Sequence, residues 1–258
     1  MANIPSSGVS TGFLSNLRLV PPDRPWAWLA AGWGDLLRAP GVSLTYGGAV
    51  VIFSYGLLYL LLRTDLLYLL LPMAGAFFLI GPMLAIGLYE TSRRLETGRP
   101  VSVGAALMAW RGRPQVAVFG VVLLVLHLAW VRTALLLFAL FFSGAPVSLL
   151  HLVNMTLLSA EGLSFLVVGT LIGLGFATLT FMIAAISVPL LLDRGGDVIT
   201  AVITSIVVVR HNWRAMLLWA VLIVGFTGIG IATAFVGLAV VLPLMGYATW
   251  HAYRDLTA

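Results

Sequence analysis

Residues 215–250, AMLLWAVLIVGFTGIGIATAFVGLAVVLPLMGYATW, contain no charged side chain. As one helix rising about 1.5 Å per residue, this stretch would be roughly 54 Å long, whereas the hydrocarbon core of a bilayer is about 30 Å thick. The stretch must therefore break and cross the membrane twice. We expect the break at residues 225–230, which include three glycines and a threonine, or at residues 233–237.

Four further runs, residues 41–62, 66–89, 115–142 and 162–192, are equally apolar, with Arg132 as the one charge inside them. The chain of 258 residues is 61% hydrophobic and 9% charged, which excludes a soluble globular protein. Spanning strands would alternate polar and apolar residues, and no segment does so. The sequence therefore predicts an all-α polytopic membrane protein with six transmembrane helices.

The basic residues are all arginines, and their distribution predicts the orientation of the chain. If the N-terminus is cytoplasmic, twelve of the 14 arginines fall on that side of the six helices: Arg18, Arg24, Arg38, Arg93, Arg94, Arg99, Arg111, Arg113, Arg194, Arg210, Arg214 and Arg254. The positive-inside rule then places both termini in the cytoplasm. We interpret these arginines as topology signals that meet anionic lipid headgroups, and we expect no nucleic-acid partner.

A short helical pattern precedes the first span of each hairpin, at residues 25–38, 101–111 and 197–209. A basic turn follows each pattern, and the return spans carry Pro82, Pro189 and Pro243. We therefore expect three pseudo-repeated units, each an interfacial helix plus a helical hairpin. Six of the eight tryptophans fall at this boundary, where headgroup-level anchors are expected: Trp26, Trp28, Trp33, Trp110, Trp213 and Trp250.

The domain organisation is simple. Residues 1–24 are polar and lack the apolar core of a cleavable signal, so they are predicted to form a flexible cytoplasmic tail. Residues 25–258 are predicted to form a single six-helix transmembrane domain. The connection at residues 143–160 is predicted to lie on the outer surface and to contain a short helix.

Three polar residues form a candidate intramembrane site: His127, Arg132 and Glu161. A lone intramembrane histidine acts either as a cofactor ligand or proton relay, or as a hydrogen-bonded packing residue, and we interpret His127 as the latter. Arg132 is costly in hydrocarbon and needs water or a partner. It either contacts an anion or a substrate, or it snorkels to water or forms an ion pair with Glu161, which opens the next helix on the outer side.

The densest polar motif is Asp193-Arg194-Gly195-Gly196-Asp197, where a span leaves the membrane. The glycines permit a sharp turn, and Asp197 is placed to cap the next helix. The motif is thus either a structural turn or a cytoplasmic gate. No two histidines share a helical face and no cysteine is present, so no metal or other cofactor is expected. No catalytic constellation stands out, which argues against an enzyme.

Three separated motifs resemble a bacterial family of integral membrane proteins, domain of unknown function 2189 (DUF2189). They are residues 23–41, residues 187–197 and residues 243–254. The resemblance implies a multi-pass protein of the bacterial inner membrane and no established activity. Some family members carry a label as cytochrome c oxidases, but a haem-copper subunit needs several intramembrane histidines, and this chain has one.

These observations favour a non-enzymatic inner-membrane protein that acts as an accessory or assembly partner of other membrane complexes, including respiratory ones. The alternative is a small-solute transporter or channel, suggested by the repeated units, the prolines of the return helices and the intramembrane His127 and Arg132. A lipid-modifying enzyme is a third hypothesis.

Overall fold

The computed structural model describes residues 17–64, 66, 69–70, 73, 81–142 and 159–257, with Glu161 described by its backbone alone. Within these residues the protein is all-α and contains ten helices: α1 (Arg24–Arg38), α2 (Pro40–Arg63), α3 (Ile86–Glu96), α4 (Val103–Leu107), α5 (Pro114–Phe141), α6 (Ala160–Ala184), α7 (Ser187–Asp193), α8 (Val198–His211), α9 (Trp213–Ala232) and α10 (Leu238–Leu256).

Four helical segments in the described part of the chain are long and apolar enough to cross a membrane: Pro40–Arg63, Pro114–Phe141, Gly162–Asp193 and Trp213–Ala232. They coincide with four of the six predicted spans. Within the span predicted at residues 66–89, residues 67–68, 71–72 and 74–80 lie outside the described residues. The three-unit repeat of six spans therefore remains a prediction.

The sixth predicted span, which is the second of the two crossings expected within residues 215–250, is shorter than expected. The chain breaks at residues 233–237, the second of the two predicted positions, where Ala234 and Phe235 have positive φ. Helix α10 then begins at Leu238, so only about 20 Å of helix precedes Trp250. Its remaining turn carries His251, Arg254 and Asp255, which lowers its hydropathy below that of a membrane helix.

The tightly packed core lies at one end of the bundle, where α1, α3, α7 and the second half of α10 meet. Leu88, Val188, Tyr247, Trp250 and Tyr253 have no exposed surface there. In contrast, only 17% of the most hydrophobic stretch of α2 and 11% of that of α5 are buried. The spanning helices therefore present most of their apolar surface to the bilayer, and the protein is held together mainly at this end.

The three short helices predicted before the spans are present, with corrections. Helix α1 matches residues 25–38, α8 matches residues 197–209, and α4 is only five residues long. The tryptophans do not all serve as surface anchors. Trp26, Trp33, Trp110 and Trp213 are about half exposed, but Trp28 and Trp250 are core residues. Because α1 packs on α10, its buried face carries Trp28, Leu29 and Asp35, whereas Trp26 and Trp33 lie on its exposed face.

The segment before α1 is attached to the same end of the bundle. The backbone N–H of Arg18 donates to Leu256 O (3.1 Å), and that of Val20 donates to Asn212 Oδ1 (2.9 Å). The side-chain amide of Asn212 in turn donates to Arg18 O (3.0 Å). Residues 17–20 are thus hydrogen-bonded to the turn between α8 and α9 and to the end of α10.

Candidate functional site

The packed end contains a buried carboxylate on α1, Asp35, which is 4% exposed. Its Oδ2 accepts a hydrogen bond from Ser92 Oγ of α3 (2.6 Å) and lies 2.8 Å from His251 Nε2 of α10. The approach of α1 to α10 depends on Gly32, because a Cβ there would lie 2.7 Å from the backbone nitrogen of Ala248. Asp35 therefore links three helices, about one turn along α1 from its close approach to α10.

A second buried carboxylate, Glu90 of α3, is 3% exposed and lies among three arginines. Arg93 donates to both of its oxygens (2.9 and 3.1 Å), and Arg94 Nε donates to Oε1 (2.8 Å). Arg113, at the start of α5, lies 3.7 Å away. Burial lowers the pKa of Arg113, and the adjacent Glu90 opposes that shift. Glu90 thus ties α3 to the beginning of α5.

Further pairs extend from Asp35 through His251 and Arg254 to Glu96 and Asp193, and Glu96 lies on the same helix, α3, as Glu90. We call these two clusters together the charge network: Asp35, Glu90, Glu96, Asp193, Arg93, Arg94, Arg113, His251 and Arg254. His251 Nδ1 lies 3.9 Å from Glu96, and Arg254 lies 3.4 Å from Glu96 and 3.5 Å from Asp193. The network contains residues of α1, α3, α7 and α10. Every acid in it lies within 4 Å of a basic side chain.

A separate pair lies beside the network and joins the two ends of the helical domain. Asp255 accepts hydrogen bonds from Arg24 Nε (2.6 Å) and Trp28 Nε1 (2.9 Å). Partial burial acts to raise the pKa of Asp255, but these two hydrogen bonds together with the positive charges of Arg24 and Arg18 outweigh it, so the pKa lies below its ordinary value. Helix α1 is therefore anchored to the last turn of α10 by a charged contact.

The predicted gate or turn, Asp193, Arg194 and Asp197, is placed at this same end. Asp193 accepts a hydrogen bond from the Tyr253 hydroxyl (2.9 Å), and Arg194 donates to the backbone oxygen of Thr257. Burial, followed by the nearby Asp193, raises the pKa of Tyr253. These contacts hold α7 to α10.

The rest of the motif forms the expected turn. Gly195 and Gly196 have φ of 70° and 89°, a backbone conformation that favours glycine. Asp197 caps α8 by accepting from the backbone N–H of Thr200 (2.9 Å), and this hydrogen bond lowers its pKa. The geometry of a structural turn is present, and a gating role remains a prediction.

The candidate intramembrane site is not brought together by the described residues. His127 lies on α5, about 20 Å along the helix from Arg113, and its buried Nδ1 has no hydrogen-bond partner among them. Arg132 is exposed on the same helix. The side chain of Glu161 lies outside the description, so its pairing with Arg132 remains a prediction. Within the described part of the chain, no group of three acidic or histidine side chains could hold a metal ion.

The structure also contains a large apolar cavity between the spanning helices, with a volume of about 1380 Å³. Its walls come mainly from α5, α6, α9 and α10. Representative lining residues are Trp130, Phe176, Thr180 and Trp219, with Arg210 and Trp213 at the end nearest the packed core. We call it the membrane cavity.

The sequence analysis missed Asp35, Glu90 and His251 as a functional group. A signal for two of them was present: Glu90 follows Pro82 by eight residues, and His251 follows Pro243 by eight residues. Polar residues at equal distances from the prolines of two return segments indicate equivalent positions at the same end of a bundle. The predicted repeat therefore contained a signal for Glu90 and His251, but only through their equal distances from the two prolines.

Residues 70–193 match a family described as predicted integral membrane protein (DUF2189). No curated protein and no solved structure matches the chain. The matched segment includes Glu90, Arg113 and Asp193, and so covers the α3, α5 and α7 parts of the charge network.

Proposed function

We propose that the chain, whose residues 70–193 match the family of predicted integral membrane proteins DUF2189, is a non-enzymatic accessory or assembly partner of other membrane proteins. Respiratory complexes are included among the partners we consider. In this proposal the protein resides in the bacterial inner membrane, with both termini in the cytoplasm.

The orientation is supported by the position of the charges. Arg93, Arg94, Arg113 and Arg254 all lie in the charge network and therefore at one end of the bundle. These arginines belong to short connections and helix ends, to which the positive-inside rule applies. The packed end with its charge network is therefore proposed to face the cytoplasm.

The observation that carries the accessory role is the contrast between this packed end and the spanning helices. The charge network binds the helix ends to one another, while α2 and α5 leave long apolar faces uncovered by the rest of the described chain. On α2, Ile52 is 75% exposed and Phe53 64% exposed. Helices that are fixed at one end and uncovered along their length are suited to contact helices of other proteins within the bilayer.

The chemistry of the charge network also favours a non-enzymatic role. Asp35 and Glu90 are buried against hydrogen-bond donors of their own chain, and both ring nitrogens of His251 face carboxylates. A general acid or base must instead reach a proton of the substrate. These groups are better placed to hold helices together than to perform chemistry.

The alternative, a transporter of small solutes, has weaker support. Its natural pathway would be the membrane cavity, but the walls of that cavity are almost entirely aliphatic, aromatic or glycine residues. A polar solute that leaves water needs hydrogen-bonding partners along its path. The cavity provides few, so it does not favour hydrophilic cargo.

Site-specific photo-crosslinking in the native membrane tests the proposal. A photoreactive amino acid is placed at the exposed position 52 or, as a matched control on the same helix, at the 7% exposed position Val50. We expect position 52 to yield a discrete adduct with another membrane protein and position 50 to yield none. A deletion strain should show reduced assembly of the same partner, measured by blue native electrophoresis.

Two results would contradict the accessory role. One is crosslinking to lipid alone from every exposed position tested on α2 and α5. The other is solute-dependent uptake into proteoliposomes together with thermal stabilisation by the same solute, which would favour the transporter.

A further inference from the structure

We propose that the membrane cavity binds an anionic glycerophospholipid, with its phosphate at Arg210 and its acyl chains between α6 and α9. This inference does not depend on the accessory role. It rests on the size and chemistry of the cavity, on a cation at its end that forms no ion pair within the described residues, and on a buried wall hydroxyl that has no hydrogen-bond partner among them.

The size of the cavity indicates a large ligand. Pockets for drug-sized molecules have volumes of roughly 300–1,000 Å³, and the membrane cavity measures about 1380 Å³. Two wall glycines, Gly169 and Gly225, have no neighbouring atom within 4 Å of the position a Cβ would occupy. The space beside these helices is therefore open and apolar, as acyl chains require.

The end of the cavity nearest the packed core supplies a positive charge. Arg210, in the last turn of α8, lines the cavity, and within the described residues it forms no ion pair. Trp213 beside it is 57% exposed, and the guanidinium of Arg214 lies 5.3 Å from the centre of its ring. Tryptophan is typical of headgroup depth, and arginine is well suited to bind phosphate.

A buried hydroxyl lies in the same wall. Thr180 of α6 is 3% exposed, lines the cavity, and its Oγ1 has no hydrogen-bond partner in the described part of the chain. The hydrogen bonds Ser187 Oγ to Ala201 O and Ile186 N to Ser205 Oγ show that α8 runs back alongside α7. Continuing that register brings the last turn of α8 beside Thr180. The hydroxyl can donate to an ester carbonyl below the phosphate.

These features together favour an anionic lipid over a neutral one or a partner's helix. A partner's transmembrane helix would fill the apolar space, but it would not supply an anion at Arg210. A zwitterionic lipid supplies a phosphate together with a positive group that Arg210 would repel. Anionic lipids are present in bacterial inner membranes and are attracted to basic residues at the membrane surface.

The headgroup is tested by native mass spectrometry of the purified protein in mild detergent, titrated with phosphatidylglycerol or phosphatidylcholine. We expect phosphatidylglycerol to bind more tightly, and Arg210→Gln to weaken it by about tenfold or more because a charge-assisted hydrogen bond is lost. Arg99→Gln removes the same charge from an exposed residue that does not line the cavity, and should have no such effect. Equal loss in both variants would mean non-specific charge attraction and would overturn the assignment.

The proposed position of the acyl chains in the membrane cavity is tested by substitutions that fill the cavity. Gly169→Leu and Gly225→Leu place a side chain in the open space and should reduce binding of both lipids several-fold. Gly56→Leu on α2 also meets no neighbouring atom, but it does not line the cavity, so its lipid binding should match the unmodified protein. Unchanged binding in the two cavity variants would place the lipid elsewhere and refute the proposal. Thermal melting of each variant checks that it is folded.

Discussion

Replacing Glu90 by Gln should destabilise the protein by about 2–3 kcal/mol. Glutamine keeps the shape of the side chain but removes its charge, and hydrogen bonds to charged groups are stronger than neutral ones by roughly 1 kcal/mol each. Two arginines donate directly, at 2.8 and 2.9 Å, and the third lies 3.7 Å away. Their side chains are 21–28% exposed. Water can therefore offset part of the loss, which keeps it below the roughly 3–5 kcal/mol expected for breaking a fully buried pair.

The matched control is Glu96→Gln on the same helix. Glu96 is 32% exposed and its partner Arg254 is 44% exposed, so this pair should contribute less than about 1 kcal/mol. Reversible unfolding of both variants in mixed micelles, followed by circular dichroism, gives the two free energies. If Glu90→Gln costs no more than Glu96→Gln, the three arginines do not depend on Glu90, and the network is not a stabilising element.

Four further predictions follow from other contacts. Gly47→Ala should lower the melting temperature clearly, because the new Cβ would fall 2.0 Å from Ala239 O, whereas Gly48→Ala, which meets nothing, should not. Asp255→Asn should cost stability at neutral pH, and this cost should begin to shrink in melts near pH ~4 and vanish only below the folded pKa: a lowered folded pKa contributes stability above the unfolded value of about 3.9 and loses it as pH falls through the folded one. Asp197→Ala should reduce stability by about 0.5–2 kcal/mol through loss of the cap of α8, and Asp197→Asn should retain most of it. Reporter fusions at the C-terminus and within residues 143–160 should report opposite sides of the membrane, and the same side for both would contradict the proposed topology.

The fold class and most helix positions could be predicted from the sequence because they depend on local properties. Uncharged runs of sufficient length identify four spans, the turn at residues 233–237 follows from the excessive length of one run, and the cap by Asp197 follows from its position. The inward face of α1 could not be predicted in this way. Asp35 is buried because α10 supplies His251 and α3 supplies Ser92, and neither partner is close to it in sequence.

In the candidate site, too, local features could be predicted from the sequence, whereas contacts between distant residues could not. Asp193 and Arg194 were identified because several polar residues stand together, but their partners Tyr253 and Thr257 are about sixty residues away. Glu90 was not predicted as a site residue, since its neighbours Arg93 and Arg94 were interpreted only as topology signals. The burial of Glu90 among three guanidinium groups results from the packing of the helices. A hydropathy pattern does not predict such packing.

The contact between Trp28 and Asp255 spans 227 residues of the chain, and this separation bears on biogenesis. At a translation rate of about 5–20 residues per second, α1 leaves the ribosome roughly 10–45 s before its partner helix is made. During that time Asp35 lacks His251, and the face around Trp28 lacks its contact with Asp255. Insertion factors or chaperones that shield this face would raise the yield of the protein, and a chain truncated before α10 would leave it without these contacts.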